Sequence, residues 1–519
     1  MANIGPTLSK YTGAAELSAL LESDKFGIVS VKTYGAVGDG VTDDTVAIQD
    51  AINSLTNGGC VYFPLGTYLI SNTITIDKSN ITINIANGAN ILSTLTNKTL
   101  FYVTGNNAIF TGGGKIVSSL NWNGSNVQWT YAIIFINSNN CIVENIYIEN
   151  VHKVGIGISG NNCIISKCKI TGNYPASSYT GVETGHFGIA YDPNGIQPDG
   201  NILIQENLID SCVQGVFTGN YGVGNGYSVN ISNNIFTGCH NHGIYANGGI
   251  GNIIDSNSFN GCSYPIAATG EYAIITNNNM YTHTSGGNLD LVSISVREAT
   301  HCNISNNIIK GESPNGGVII DLINLSEQTL DNNVISGNII EITNGNVVAI
   351  RLGSVTQTLY NYKNKIINNI IKANGITLNG IISITTNTSG IGEDNQISNN
   401  ALIMLNNCNG IFISRQKGMI ISNNNINFKY NADSSETLNI ISATLLEDSV
   451  INNNVMLCEN IYGSNVTLRG YIENATSNRN LIIGNIINLD TTLLVAKTEI
   501  TLNATSNSAS NMLTGTYTP

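Results

Sequence analysis

Side chains that can trade protons are scarce in this chain, which carries 34 acidic residues, 21 lysines and arginines and 6 histidines among 519 residues. They gather in one stretch, NYPASSYTGVETGHFGIAYDPNGIQPDG, which places Glu183, His186, Asp192 and Asp199 among three tyrosines, Tyr191 included. Further on, CHNHGIYANGG adds His240, His242 and Tyr245. Two chemistries suit such a set. Glu183, Asp192 and Asp199 could supply the carboxylate pair that hydrolyses a glycosidic bond, about 5 Å apart for retention or roughly 6.5–9.5 Å for inversion, with one acid kept protonated by its surroundings. His240 and His242 could instead serve as base and acid in an elimination. Elimination also needs a cation against the substrate's carboxylate; Lys153, Lys167 and Lys169 fit that need poorly, and a calcium ion would be the substitute if the protein is a lyase. The hydrolytic reading is preferred, with no cofactor. Tyr191, Tyr221, Tyr245, His152 and His186 are the expected substrate contacts.

Those residues need a scaffold, and the chain repeats one. From Cys141 onward a short window recurs, as in CIVENIYI, ILIQENLI, NISNNIF, VISGNII and LIIGNII. Anchored on the residue before the second apolar pair, the copies fall at Asn145, Cys168, Asn207, Asn234, Asn257, Asn279, Asn307, Asn338, Asn369, Asn400, Asn425, Asn454 and Asn485. The spacing is 22 to 31 residues except for one interval of 39 between Cys168 and Asn207. Each copy holds short β-branched runs of period two separated by Asn and Gly, and no helical periodicity. A recurrent unit of that size is a solenoid signature. The fold expected is therefore all-β, a single-stranded right-handed parallel β-helix, adding roughly 4.8 Å per rung. Its inward Ile and Val form the core. Its turn asparagines bond to their counterparts one rung away, and Cys141, Cys163, Cys168, Cys212, Cys239 and Cys262 stack as small core residues at near-equivalent positions. The 39-residue interval contains the acidic stretch, and solenoid insertions map to loops on one face, often the binding face.

Composition narrows the partners. The net charge of −13 argues against nucleic acid. No apolar run approaches the length of a membrane span. The opening MANIGPTLSK lacks a basic stretch followed by an apolar one, so synthesis in a cytoplasm without a signal peptide is expected. The cysteines lack a CxxC pattern, so no metal is expected from them.

An open solenoid end exposes core and unpaired backbone, and so needs a cap. YGAVGDGVTDDTVAIQDAINSL supplies one: a glycine turn, then a helix with Val46, Ile48, Ala51, Ile52 and Leu55 on one face. The Gly-Lys-Ser/Thr of a phosphate loop is absent, so Asp39, Asp43 and Asp44 read as structural. The cap helix is placed at 44–55, within a β-helix of 31–490. A short helix is expected within the N-terminal segment 1–30, and an extended segment at 491–519.

With GGCVYFPLGTYLI following it, this segment resembles the N-terminal signature of the pectate-lyase-like β-helix superfamily. That group includes phage tailspikes and neck appendages, polygalacturonases, exo-glucanases and mannuronan epimerases. The resemblance implies a right-handed parallel β-helix acting on carbohydrate. For phage members it implies a virion-borne homotrimer that binds or cuts a bacterial surface polysaccharide. The polygalacturonase motifs are missing apart from Asn241-His242-Gly243. Against the epimerases, IAYDPN keeps the Asp-Pro at Asp192, and His242-Gly243 matches, while Ile189 and Asn194 stand where that subclass has Tyr and His. The expected function is a tailspike-like polysaccharide depolymerase, with a non-catalytic receptor-binding spike and a bacterial uronan epimerase or lyase as alternatives. Two long apolar runs, ITLNGIISITT and LNIISATLL, point to side-by-side packing of chains in a trimer.

Overall fold

The computed structural model describes residues 27–96, 98–119, 132–173, 186–191, 201–219, 228–247, 249–283, 291–312, 316–323, 329–353, 360–374, 380–386, 390–405, 408–429, 437–459, 467–473, 477, 479–488, 496–501, 507–509, 512–513 and 517–518. The chain forms two compact units, residues 1–240 and 241–519.

Both units are right-handed parallel β-helix, with three strands per coil and each strand pairing in parallel with its counterpart one coil on. Period-two burial sets the register. In the first sheet of unit one, Val61, Ile83, Phe110, Val143, Ile165, Ile204 and Ile231 are successive register partners. Unit two repeats the pattern from Ile254 through Ile275, Ile304, Ile335, Ile366, Ile397, Ile421 and Ile451 to Ile482. All of these side chains are buried. A one-residue slip would expose a whole strand's core set, so the alternation fixes the register.

The corner between the first and second sheets carries the asparagine ladder. Asn307 is representative: its Nδ2 donates to Ile275 O at 2.9 Å and to Asn338 Oδ1 at 2.9 Å, while its backbone N–H donates to the same Asn338 Oδ1 at 3.0 Å. The ladder runs on through Asn369, Asn400, Asn424, Asn454 and Asn485. The residue before each rung is often an Asn in the left-handed region, such as Asn306 at φ 56°, which Asn tolerates better than most residues. Three sequence anchors need correction by one position. The ladder members are Asn278 and Asn424, not Asn279 and Asn425, and the counterpart of Cys168 one rung earlier is Ile146, not Asn145. Neighbouring asparagines are indistinguishable in sequence; only the turn geometry selects the inward one.

The six cysteines named above are buried, but on three lines rather than one: Cys141 with Cys163, Cys168 on the asparagine line, and Cys212, Cys239 and, in unit two, Cys262 before third-sheet strands. The cap helix runs Thr45–Ser54. Ile48, Ala51, Ile52 and Leu55 face the core, whereas Val46 is 71% exposed, a correction to the expected face. Two residues before Ile48 on a helix of 3.6 residues per turn, it lies about 200° round from that side chain, on the solvent side. The three aspartates are committed to local structure. Asp44 is buried and accepts from Val37 N at 2.6 Å and Gly38 N at 3.1 Å, Asp39 accepts from Val41 and Thr42, and Asp43 ties Thr45 to Ser71.

Parallel pairing continues past residue 490, where Ala496–Thr501, Asn507–Ala509 and Met512–Leu513 join strands of the preceding coil. The short helix expected near the N-terminus falls within residues 1–26, outside the described residues. Among the described residues the late apolar runs turn inward: Ile381, Ile382, Ile384, Ile440 and Ile441 are fully buried. At the start of the third-sheet strands two successive positions turn inward, so the core consumes both.

Candidate functional site

The third sheet sets out the candidate residues. In unit one its strands Val154–Ile158, Phe187–Tyr191 and Gln214–Thr218 are buried at every position. Val154, Phe187 and Gln214 are register partners, as are Ile156, Ile189 and Val216, so Gly155, Gly188 and Gly215 align. The glycines are there for close approach: a Cβ on Gly155 would lie 2.5 Å from Gly188 O.

This burial corrects two expected substrate contacts. His186 is fully buried, with Nε2 2.7 Å from Val151 O and Nδ1 accepting from Val213 N at 3.2 Å. Burial first, with a smaller push from His152 and His240, holds its pKa down at about 4 against the opposing pull of its backbone hydrogen bonds. Tyr191 is also fully buried, between Ile158 and Thr218 in register. Both serve the core. Half-buried His152 contacts Ser118 Oγ at 2.9 Å, and burial lowers its pKa. His240 is partly exposed at the end of unit one, its N–H donating to Cys212 O. Glu183, Asp192, Asp199 and Tyr221 lie outside the described residues.

In unit two the third sheet gathers a polar and aromatic face. His242 opens the strand His242–Ala246 and pairs in register with Tyr264. Its ring stacks on Tyr245, with centroids 4.8 Å apart and planes 17° apart, and lies 5.4 Å from Tyr264. Its Nδ1 is shielded from solvent and has no hydrogen-bond partner among the described residues. Burial first, and then the charge of Arg297, push its pKa down to about 4, so the ring is neutral at neutral pH.

From Tyr245 an outward ladder runs through Ala267, Ser295, Asp321 and Arg351 to Ser383. Arg351 grips Asp321 in a fork, Nε to Oδ1 at 2.8 Å and Nη2 to Oδ2 at 2.6 Å. Asp321 is buried, and burial raises its carboxyl against the opposing pull of Arg351 and Arg297. Arg297 is exposed and, among the described residues, forms no ion pair. Tyr245 and Asp321 are three rungs apart, roughly 14 Å. Only the small side chains of Ala267 and Ser295 stand between them, a reach suited to an oligosaccharide rather than one sugar. Tyr264, Arg297, Asp321 and Arg351 were not singled out as site residues from sequence. One signal for the pair was available: Asp321 and Arg351 are opposite charges inside apolar strands, one repeat apart.

The sequence model of the family described as rhamnogalacturonase A/epimerase, pectate lyase-like, matches residues 28–287, half of the chain. The chain belongs to this pectate-lyase-like family. Its matched region includes His242, Tyr245 and Tyr264, while Arg297, Asp321 and Arg351 lie beyond it. Two curated relatives share short segments. Plasmin and fibronectin-binding protein A of Streptococcus pneumoniae is 42% identical over 95 residues, 17% of this chain and 13% of that protein. The pre-neck appendage protein of Bacillus phage phi29 is 50% identical over 60 residues, 12% of this chain and 7% of that protein. The matches thus span a small fraction of those relatives' length. The crystal structure of the pre-mature bacteriophage phi29 gene product 12 superposes with a TM-score of 0.53 at 16% identity, covering 96% of this chain and 75% of that one, a likeness of fold. No helix among the described residues is long and apolar enough to cross a membrane.

Proposed function

We propose that this protein is a phage tailspike-like polysaccharide depolymerase that binds and cleaves a bacterial surface glycan, with hydrolysis preferred over elimination. The observation that carries the reading is the aromatic set His242, Tyr245 and Tyr264 on the outer side of the third sheet in unit two, with Arg297 and the Asp321–Arg351 pair on following strands of that sheet. Flat rings take the apolar face of a pyranose, and fixed guanidinium donors take its oxygens. Membership of a family named for carbohydrate-active enzymes supports the substrate class, and the phage relative supports a place on a virion or a prophage origin. The catalytic carboxylates in this reading remain Asp192, Glu183 and Asp199. We further propose a homotrimer. In unit two, Ile308, Ile339 and Ile370 are register partners on an outer face, exposed by 52%, 45% and 47%, an apolar stripe that a neighbouring chain would cover.

The test is product release from a panel of bacterial capsules and teichoic acids, followed by reducing ends for hydrolysis and by the ultraviolet absorbance of an unsaturated uronate for elimination. Asp192→Asn should lower turnover by about 10²- to 10⁴-fold with binding kept if that carboxylate is the acid or base. His242→Ala should weaken binding in the hydrolytic case and abolish turnover in the eliminative one. A second reading, a spike that binds without cutting, draws on Asp321: both its oxygens are engaged by Arg351, which suits a binding fork better than an acid catalyst. Glycan binding with no product of either kind would replace the first reading with this one.

A further inference from the structure

Unit two carries a second aromatic face, away from the ladder of Tyr245 and Asp321. It lies on the short strands Thr329–Asp331, Tyr360–Tyr362 and Gly392–Glu393, which pair with one another in parallel. Leu330 and Asn361 point inward and are fully buried, so Asp331, Tyr360 and Tyr362 point outward. The rings of Tyr360 and Tyr362 are stacked in parallel, with centroids 6.0 Å apart and planes within 4° of each other. Tyr360 is 39% exposed. Two parallel phenol rings at the surface form an aromatic pair that the core does not use.

The rungs on either side of Tyr362 each supply a carboxylate, Asp331 before it and Glu393 after it. Oδ1 of Asp331 is shielded from solvent without a hydrogen-bond partner among the described residues, an acceptor left over beside the aromatic pair. Lys363 follows Tyr362 in sequence and Lys417 follows Glu393 in register, yet the field at Tyr362 is negative: its phenol is held above the usual range by burial first, then by Glu393, Tyr360 and Asp331. An outward pair of parallel aromatic rings favours the C–H face of a pyranose, and flanking carboxylates favour ring hydroxyl or ammonium donors over an anionic sugar.

We propose that Tyr360 and Tyr362, with Asp331 and Glu393, form a second glycan-contact site for neutral or amino-sugar pyranosides, separate from the His242 face and requiring no cleavage. The proposal goes beyond the depolymerase reading, because it holds whether or not glycan is cut. Affinity electrophoresis of the full chain through gels containing hydroxyethylcellulose, glycol chitosan or alginate tests it. The first two polymers should retard the protein, and alginate should retard it less through this face. The double variant Tyr360→Ala with Tyr362→Ala should bind both polymers about tenfold more weakly. Tyr362→Phe should bind as the parent does, and Asp331→Asn should lose more affinity for glycol chitosan than for hydroxyethylcellulose. The double variant should lose the same factor in a His242→Ala background, because the two faces bind separately. Melting curves establish folding; if the double variant is unfolded, Tyr360→Ser, at the more exposed ring, carries the same comparison. Retardation by neither polymer, an unchanged double variant, or a loss confined to His242→Ala would overturn the proposal. An absence of glycan release would sink only the depolymerase reading.

Discussion

His186 shows how an apparent substrate contact becomes a structural strut. Its neutral ring has one nitrogen on Val151 O and the other accepting from Val213 N, so a second ring proton would lose the acceptor and leave a buried charge. The folded state holds the proton only near pH 4, against 6.5 for the ordinary imidazole. Unfolding therefore takes up a proton between those values. The stability contribution is full above pH 6.5 and drains away as pH falls toward 4, by up to about 3 kcal/mol. Urea melts of the parent at pH 7 and pH 5 should show about 2 kcal/mol of that loss. His186→Gln should be less stable at pH 7 by roughly 1–3 kcal/mol and lose less between the two pH values. Some slope should persist, since burial also lowers His152 and His242. An unchanged pH slope in the variant would mean that His186 is not the group responsible.

At the scale of the element, the asparagine ladder combines core and turn. Asn338 accepts from the backbone N–H and the side chain of Asn307, and donates to Ile304 O and Asn369 Oδ1. Removing one rung leaves buried partners on both sides unsatisfied, which typically costs about 1–3 kcal/mol for each group stranded. Asn338→Ala should thus lower stability by several times the effect of the same change at exposed Asn279, measured by denaturant midpoint. Asn338→Asp should also destabilise, because it replaces the donating amide with a carboxylate facing carbonyl oxygens. Equal effects at the two sites would mean that the ladder contributes little beyond the isoleucine stacks.

For the whole molecule, the apolar surface that could join chains is the stripe Ile308, Ile339 and Ile370, not the runs that look most hydrophobic in the sequence. Light scattering should find a trimer at micromolar concentration, and Ile339→Asp should shift it toward monomer with little change in the melting of the separate chain. A parent that is monomeric would remove the stripe's proposed role. Much of the architecture was legible beforehand, because a solenoid writes its register locally: period-two apolar residues, Asn at every corner and a capped first coil each follow from short-range geometry. The cap aspartates could be read for the same reason. The site was less legible. His242 and Tyr245 were marked by composition, but Tyr264, Arg297, Asp321 and Arg351 become neighbours only when consecutive coils stack, since side chains that meet across rungs are a full repeat apart in sequence. Likewise, the alternation of a strand states which residues share a face, but not whether that face is open. Only the folded coils decide that Phe187–Tyr191 is closed on both sides while Tyr360 and Tyr362 lie open, because burial depends on what packs from elsewhere in the chain.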